Sequence, residues 1–112
     1  MAEYTDLAND LSQWMSEINK GIPETVKGFQ QLVKAAESGN ALDKKIKELI
    51  AIATAIATRC DGCLAFHVRT AVKLGVTREE FLEMIATAMY MGGGPSFVYG
   101  AKALKAFDEF ST

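Results

Sequence analysis

The sequence predicts an all-α, single-domain bundle of five or six helices. Three observations carry this. Apolar residues recur at spacings of three and four through most of the chain, the period that gathers them on one helix face. No segment alternates β-branched and polar residues as a half-buried strand would. Two prolines, nine glycines and well-placed capping residues cut the 112 residues into pieces of helical length.

A first helix runs from about Glu3 to Lys20 and stops at Gly21, with Leu7, Leu11, Trp14, Met15 and Ile18 as its apolar face. Pro23 opens a second, since the first helical position has no use for a backbone N–H. Val26, Phe29, Leu32 and Val33 line that helix, and Gly39 marks its end. Asp43 is the expected N-cap of a third helix, from Lys44 to about Thr58. Beyond Leu49 only Thr54 and Thr58 interrupt its apolar run, so it needs cover on nearly every side. A domain this small covers few helices so fully, and a subunit interface is expected over part of it. A fourth helix spans about Asp61 to Leu74 and closes at Gly75. Thr77 and Glu80 form a T-x-x-E capping box opening a fifth, which reaches about Met91. Gly92, Gly93 and Gly94 suit a chain reversal or close helix packing, and Pro95 starts a last helix to about Phe110. Phe66, Met84, Met89, Tyr90, Phe97 and Tyr99 are expected in the core or lining a pocket.

Composition narrows the function. With 49% hydrophobic and 23% charged residues the chain is not disordered. Its formal net charge is −2, and the charges are evenly spread, six Lys/Arg and eight Asp/Glu in residues 1–56 and six of each in 57–112. A nucleic-acid binder would carry a basic surplus. The glycine triplet follows no strand and lacks the G-x-x-x-x-G-K-[ST] pattern of a phosphate-binding loop. The opening MAEYTDLAND is polar and acidic, unlike a secretory signal. The longest apolar run, Leu49 to Thr58, is about half a membrane span. The expectation is a cytoplasmic protein with neither a membrane nor a nucleic-acid partner. In that reducing compartment a cysteine pair is more often catalytic, redox-active or metal-binding than structural.

Both cysteines and the single histidine fall in Arg59-Cys60-Asp61-Gly62-Cys63-Leu64-Ala65-Phe66-His67. On a helix Cys60, Cys63 and His67 share one face. If that helix begins near Asp61, its free N–H groups and positive dipole end favour the thiolate. Arg59 adds a nearby cation, and His67, one turn on, can take a thiol proton. The cluster has several uses open to it. Both thiols could simply pack in a helical core, where free cysteine is common. Zinc would find three ligands in C-x-x-C-x-x-x-H, with Glu48 the one candidate for a fourth. Attachment of c-type haem needs His directly after the second Cys, where Leu64 stands, and is rejected. A dithiol redox centre needs two thiols close enough to bridge and a means of activation. That reading is preferred, with no metal, no bound cofactor and an external dithiol reductant to reset the pair.

Glu48 lies twelve residues before Cys60, in E-x11-C-x-x-C-x3-H. In an all-helical chain this signature resembles the active site of the alkyl hydroperoxidase D (AhpD) core, within the carboxymuconolactone decarboxylase-like family. The resemblance covers about residues 41–107, Ala41 to Phe107, including the apolar helix before the motif and HVRTAVKLGVTREEFLEMI after it. It implies an AhpD-like orthogonal helical bundle that assembles as a homo-oligomer, trimer or hexamer. It implies that Cys63 is the attacking thiol and that Cys60 is the more exposed partner that resolves the sulfenic acid to a disulfide. His67 would help deprotonate Cys63, and Glu48 would join His67 in a proton relay, directly or through water. Without the resemblance, Glu48 reads more simply as a surface carboxylate paired with Lys44, Lys45 or Lys47. Gly62 departs from the pattern, since the best-known hydroperoxidase members carry a second His there.

The resemblance thus implies a thiol-dependent antioxidant oxidoreductase with peroxiredoxin- or alkyl hydroperoxidase-like activity. It would reduce hydroperoxides or a partner disulfide, as a general dithiol reductase or slow peroxidase, with a dihydrolipoamide- or thioredoxin-like protein as donor. Two rivals stay open. One is a 4-carboxymuconolactone decarboxylase-type lyase, with Arg59 and Arg69 holding carboxylates and His67 as acid, although that branch typically lacks the Cys pair. The other is a non-enzymatic helical oligomer with incidental thiols.

Overall fold

The computed structural model describes residues 2–112, and they form six helices with no strand among them. These are α1 (Glu3–Gly21), α2 (Pro23–Glu37), α3 (Lys44–Thr58), α4 (Asp61–Lys73), α5 (Arg78–Gly92) and α6 (Gly94–Phe110). Local chemistry sets most of the boundaries. The Ile46 amide donates to Asp43 Oδ1 at 2.9 Å and starts α3. At α5 the Glu80 amide donates to Thr77 Oγ1 (3.1 Å) while the Thr77 amide donates to Glu80 Oε1 (2.8 Å), satisfying two orphan donors reciprocally. Helix α2 ends at Glu37, short of Gly39, where the Ser38 hydroxyl donates to the Ala35 carbonyl at 2.8 Å. Lys47 then donates to the carbonyls of Glu37 (3.3 Å) and Gly39 (2.6 Å), a cation at the negative end of a helix. Between α5 and α6, Gly93 adopts φ 73° and reverses the chain, and a Cβ on Gly92 would collide with Ser96.

The core forms where α3 packs on α4, α5 and α6, and α4 and α5 on α6. Ile52, Ile56, Leu64, Val68 and Phe81 are fully buried there, with the Phe81 and Phe107 rings 4.6 Å apart. Helix α1 joins through Tyr4 and Ala8. Its start is capped from the far end of the chain: Glu109 accepts from the amides of Tyr4 (3.2 Å) and Thr5 (2.8 Å) and from the Thr5 hydroxyl (2.9 Å). Desolvation would raise the Glu109 carboxyl, but these donors outweigh it and hold the acid below its ordinary range.

The Tyr4 phenol is pushed up to about 12, first by burial and then by the charges of Glu3, Asp61 and Glu109 and by Tyr99. An unfolded tyrosine ionises near pH 10. Below that pH the contribution of Tyr4 to stability is fully present, and it is lost as pH rises from there through the folded value. Stability is therefore expected to fall between pH 10 and about 12. Tyr4→Phe should flatten that fall by roughly 2 kcal/mol, read from urea midpoints against pH.

Part of the apolar surface has no cover within the chain. Helix α2 buries none of its residues and touches chiefly α1. Trp14 is 60% exposed and Phe29 65%, so the apolar stripes of α1 and α2 run past the point where the core can use them. Helix α3 buries one face but leaves Ile46 and Ile50 in solvent. Tyr90 and Phe97 correct the sequence expectation: they are 82% and 62% exposed, on either side of the α5–α6 reversal where no other helix reaches. Phe66, Met84, Met89 and Tyr99 do pack against the core. Among the described residues no helix is long and apolar enough to cross a membrane.

Candidate active site

The site is built at the turn from α3 into α4. Arg59 sits there in the left-handed region, φ 60° and ψ 49°, the one non-glycine among the described residues with positive φ. That conformation costs an L-residue about 1–2 kcal/mol. It closes α3 tightly: the Arg59 amide donates to the Ile56 carbonyl (3.4 Å) and the Cys60 amide to the Ala55 carbonyl (3.0 Å). The Arg59 guanidinium donates to the carbonyls of Ile56 (2.5 Å) and Ala57 (2.9 Å) and to Ser96 Oγ (3.3 Å). Sequence spacing cast Arg59 as a cation beside the thiols; in the structure its side chain is committed to clasping the end of α3 and tying it to α6.

The reversal delivers Cys60 to the N-cap of α4, where its Sγ accepts the Cys63 amide at 3.2 Å. The two sulfurs are bonded to each other, with Cα atoms 5.3 Å apart. Both residues are half-buried, at the helix end where unpaired amides and the dipole favour negative charge. Of the two residues between them, Gly62 is fixed by packing. A Cβ on Gly62 would lie 2.6 Å from Leu11 Cδ1, because α1 lies across the motif. A second histidine at this position would require the Leu11 side chain to move aside.

His67 lies one turn beyond Cys63 on α4. Its Nδ1 is 3.0 Å from Glu48 Oε1 and 3.3 Å from Oε2. Glu48 is only 8% exposed, held on α3 with its carboxylate turned to α4. The surface-pair alternative for Glu48 does not hold: Lys45 pairs with Glu80 at 3.4 Å and Lys47 serves the end of α2. An ionised carboxylate only accepts, so Nδ1 donates to it and Nε2 is left as the basic nitrogen. The contact is direct, with no need of a bridging water.

Among the described residues no three His, Cys, Asp or Glu side chains gather as a metal-binding group. The sulfurs are spent on each other and Glu48 on His67. The arginines that the lyase reading needs are also engaged, Arg59 as above and Arg69 over the Phe66 ring at 5.7 Å. Two cavities approach the relay without reaching the sulfurs. An apolar groove of about 660 Å³ between α1 and α2 ends at Phe66. A second, of about 500 Å³, has Lys34, Lys44, Lys47 and Glu48 in its wall.

One neighbour of the motif escaped the sequence reading. Lys102 of α6 donates to Asp61 Oδ1 at 3.4 Å and stands 4.5 Å from the centroid of Tyr99, over which Arg59 also lies at 5.8 Å. No local pattern could have found it, because α6 meets α4 only through the fold.

The profile of the carboxymuconolactone decarboxylase family matches residues 23–106. The apo form of a member of that family from Legionella pneumophila superposes with a TM-score of 0.96 at 48% identity, over 100% of both chains. A family member from Thermotoga maritima, for which a part in an antioxidative response has been suggested, gives 0.76 at 26% identity over 89% of this chain and 88% of that one. An uncharacterized protein of Cupriavidus necator is 38% identical over 112 residues, spanning 94% of this chain and 99% of the relative.

Proposed function

Since the chain belongs to the carboxymuconolactone decarboxylase family, we propose that it is a thiol-dependent oxidoreductase cycling between a Cys60/Cys63 dithiol and their disulfide. The observation that carries this is the bonded sulfur pair at the start of α4, followed one turn later by a histidine whose Nδ1 is held by a buried carboxylate.

In the reduced chain, His67 Nε2 takes the Cys63 proton. The thiolate attacks one oxygen of a hydroperoxide and the O–O bond breaks. Cys63 becomes a sulfenic acid, and the alkoxide leaves as the alcohol with the proton from His67. Cys60 then attacks the sulfenic sulfur, the disulfide forms and water departs. A partner disulfide enters the same cycle by exchange, and an external dithiol of the dihydrolipoamide or thioredoxin kind returns both thiols. The antioxidative role suggested for the Thermotoga neighbour supports this reading, as does the fit of the motif to an AhpD-type core. With Gly62 in place of a second histidine, the enzyme is a slow peroxidase or general dithiol reductase. It works as a homo-oligomer, trimer or hexamer, in a reducing cytoplasm, with the bare faces of α1, α2 and α3 covered by neighbouring subunits.

The test is consumption of an organic hydroperoxide by the reduced protein supplied with dihydrolipoamide. Multiple turnovers per chain are expected; consumption no faster than with dihydrolipoamide alone overturns the proposal.

A further inference from the structure

Asp61 is the first residue of α4 and the sequence neighbour of Cys60. A carboxylate in this position disfavours thiolates nearby by like-charge repulsion. It is also well placed to accept the free amides of the first helical turn, which acidic residues commonly do. In this structure it does not: the Cys63 amide goes to Cys60 Sγ, and Asp61 Oδ1 bonds to Lys102 Nζ. Lys102 comes from α6, and its ammonium is braced against the Tyr99 ring. Desolvation works against the Lys102 charge, but the bond and charge of Asp61, helped by Tyr99, outweigh it and raise the affinity of Lys102 for its proton.

We propose that Lys102 is a positioning residue for the redox pair: it draws the Asp61 carboxylate off the first turn of α4, leaving the amide to sulfur and neutralising the one acidic charge within the C-x-x-C motif. This rests on the redox reading above. The other titratable or charged groups around the motif are Tyr4 of α1, Arg59 before the helix, His67 on it, Glu48 of α3 and Tyr99 of α6. None of them bonds to Asp61 in the structure, so Lys102 is the group through which its charge is controlled.

The consequence follows by sign. Without Lys102 the carboxylate is free to turn toward the sulfurs and compete for the amide. The thiolate is then less favourable, its pKa higher and the disulfide harder to reduce. In Lys102→Met the more acidic thiol should titrate about half a unit to one unit higher, by iodoacetamide rate against pH. That is a three- to tenfold smaller acid dissociation constant, equivalent to a potential about 15–30 mV lower against glutathione at a pH where the thiol is ionised. Lys102→Arg should keep the wild-type values. In an Asp61→Asn background, Lys102→Met should have less than half its effect. No shift in Lys102→Met overturns the proposal. So does an equal shift with and without Asp61, which would make Lys102 a bare charge with no hold on the carboxylate. Both readouts use the chain without substrate, so they stand apart from the hydroperoxide assay: failure there with the Lys102 effects intact would count against the catalytic reading alone.

Discussion

Cys63→Ser is expected to abolish hydroperoxide turnover, leaving only the background rate of the reductant. A serine hydroxyl is not ionised near neutrality and forms no disulfide, so both the attack and the resolution are lost. Cys60→Ser behaves differently. Without reductant it should consume one equivalent of peroxide per chain and stop at the Cys63 sulfenic acid, because no thiol three residues away can close on it. A sulfenic-acid trap should label that variant and not Cys63→Ser. The two variants together would assign the roles, and His67, one turn from Cys63, is the reason Cys63 is expected to attack. If Cys60→Ser lost the first turnover and Cys63→Ser kept it, the attacking thiol would be Cys60.

Glu48→Gln should lower kcat/KM for the hydroperoxide about 10- to 100-fold with little change in the fold. The amide can still accept from Nδ1, but it carries no charge to favour the imidazolium that forms when His67 takes the thiol proton. The loss should appear equally in the rate at which reduced Cys63 reacts with iodoacetamide at neutral pH, since that rate reads the thiolate itself. Glu48→Ala goes further, because it leaves Nδ1 without its buried partner and opens a void beside α4. A Glu48→Gln enzyme as fast as the parent would show that the contact orients the helices and nothing more.

The local signals in this sequence were strong where the structure is local. Asp43, Pro23 and the Thr77/Glu80 box act within one helical turn of themselves, so spacing alone found them. The motif was legible for the same reason, since Cys60, Cys63 and His67 lie on a single helix. Glu48 was not legible from pattern, because its partner is nineteen residues away and three lysines stood closer in sequence. Only the resemblance joined it to His67. Arg59 could not be read either. Left-handed turns usually advertise themselves with glycine, and here an arginine tolerates the conformation while its guanidinium binds the carbonyls it has just exposed. The aromatic side chains Tyr90 and Phe97 were misplaced because periodicity reports which face is apolar and says nothing about whether this chain or another covers it.

The most direct measurement is the state of the two sulfurs after contact with one equivalent of hydroperoxide. The protein is reduced, freed of reductant without air, mixed with the peroxide, quenched with an alkylating agent and mapped by mass spectrometry. The predicted result is one peroxide consumed per chain and a single peptide carrying the Cys60–Cys63 bridge, with no alkylated thiol. Recovery of both cysteines alkylated, with the peroxide still in solution, would contradict the redox assignment at its root.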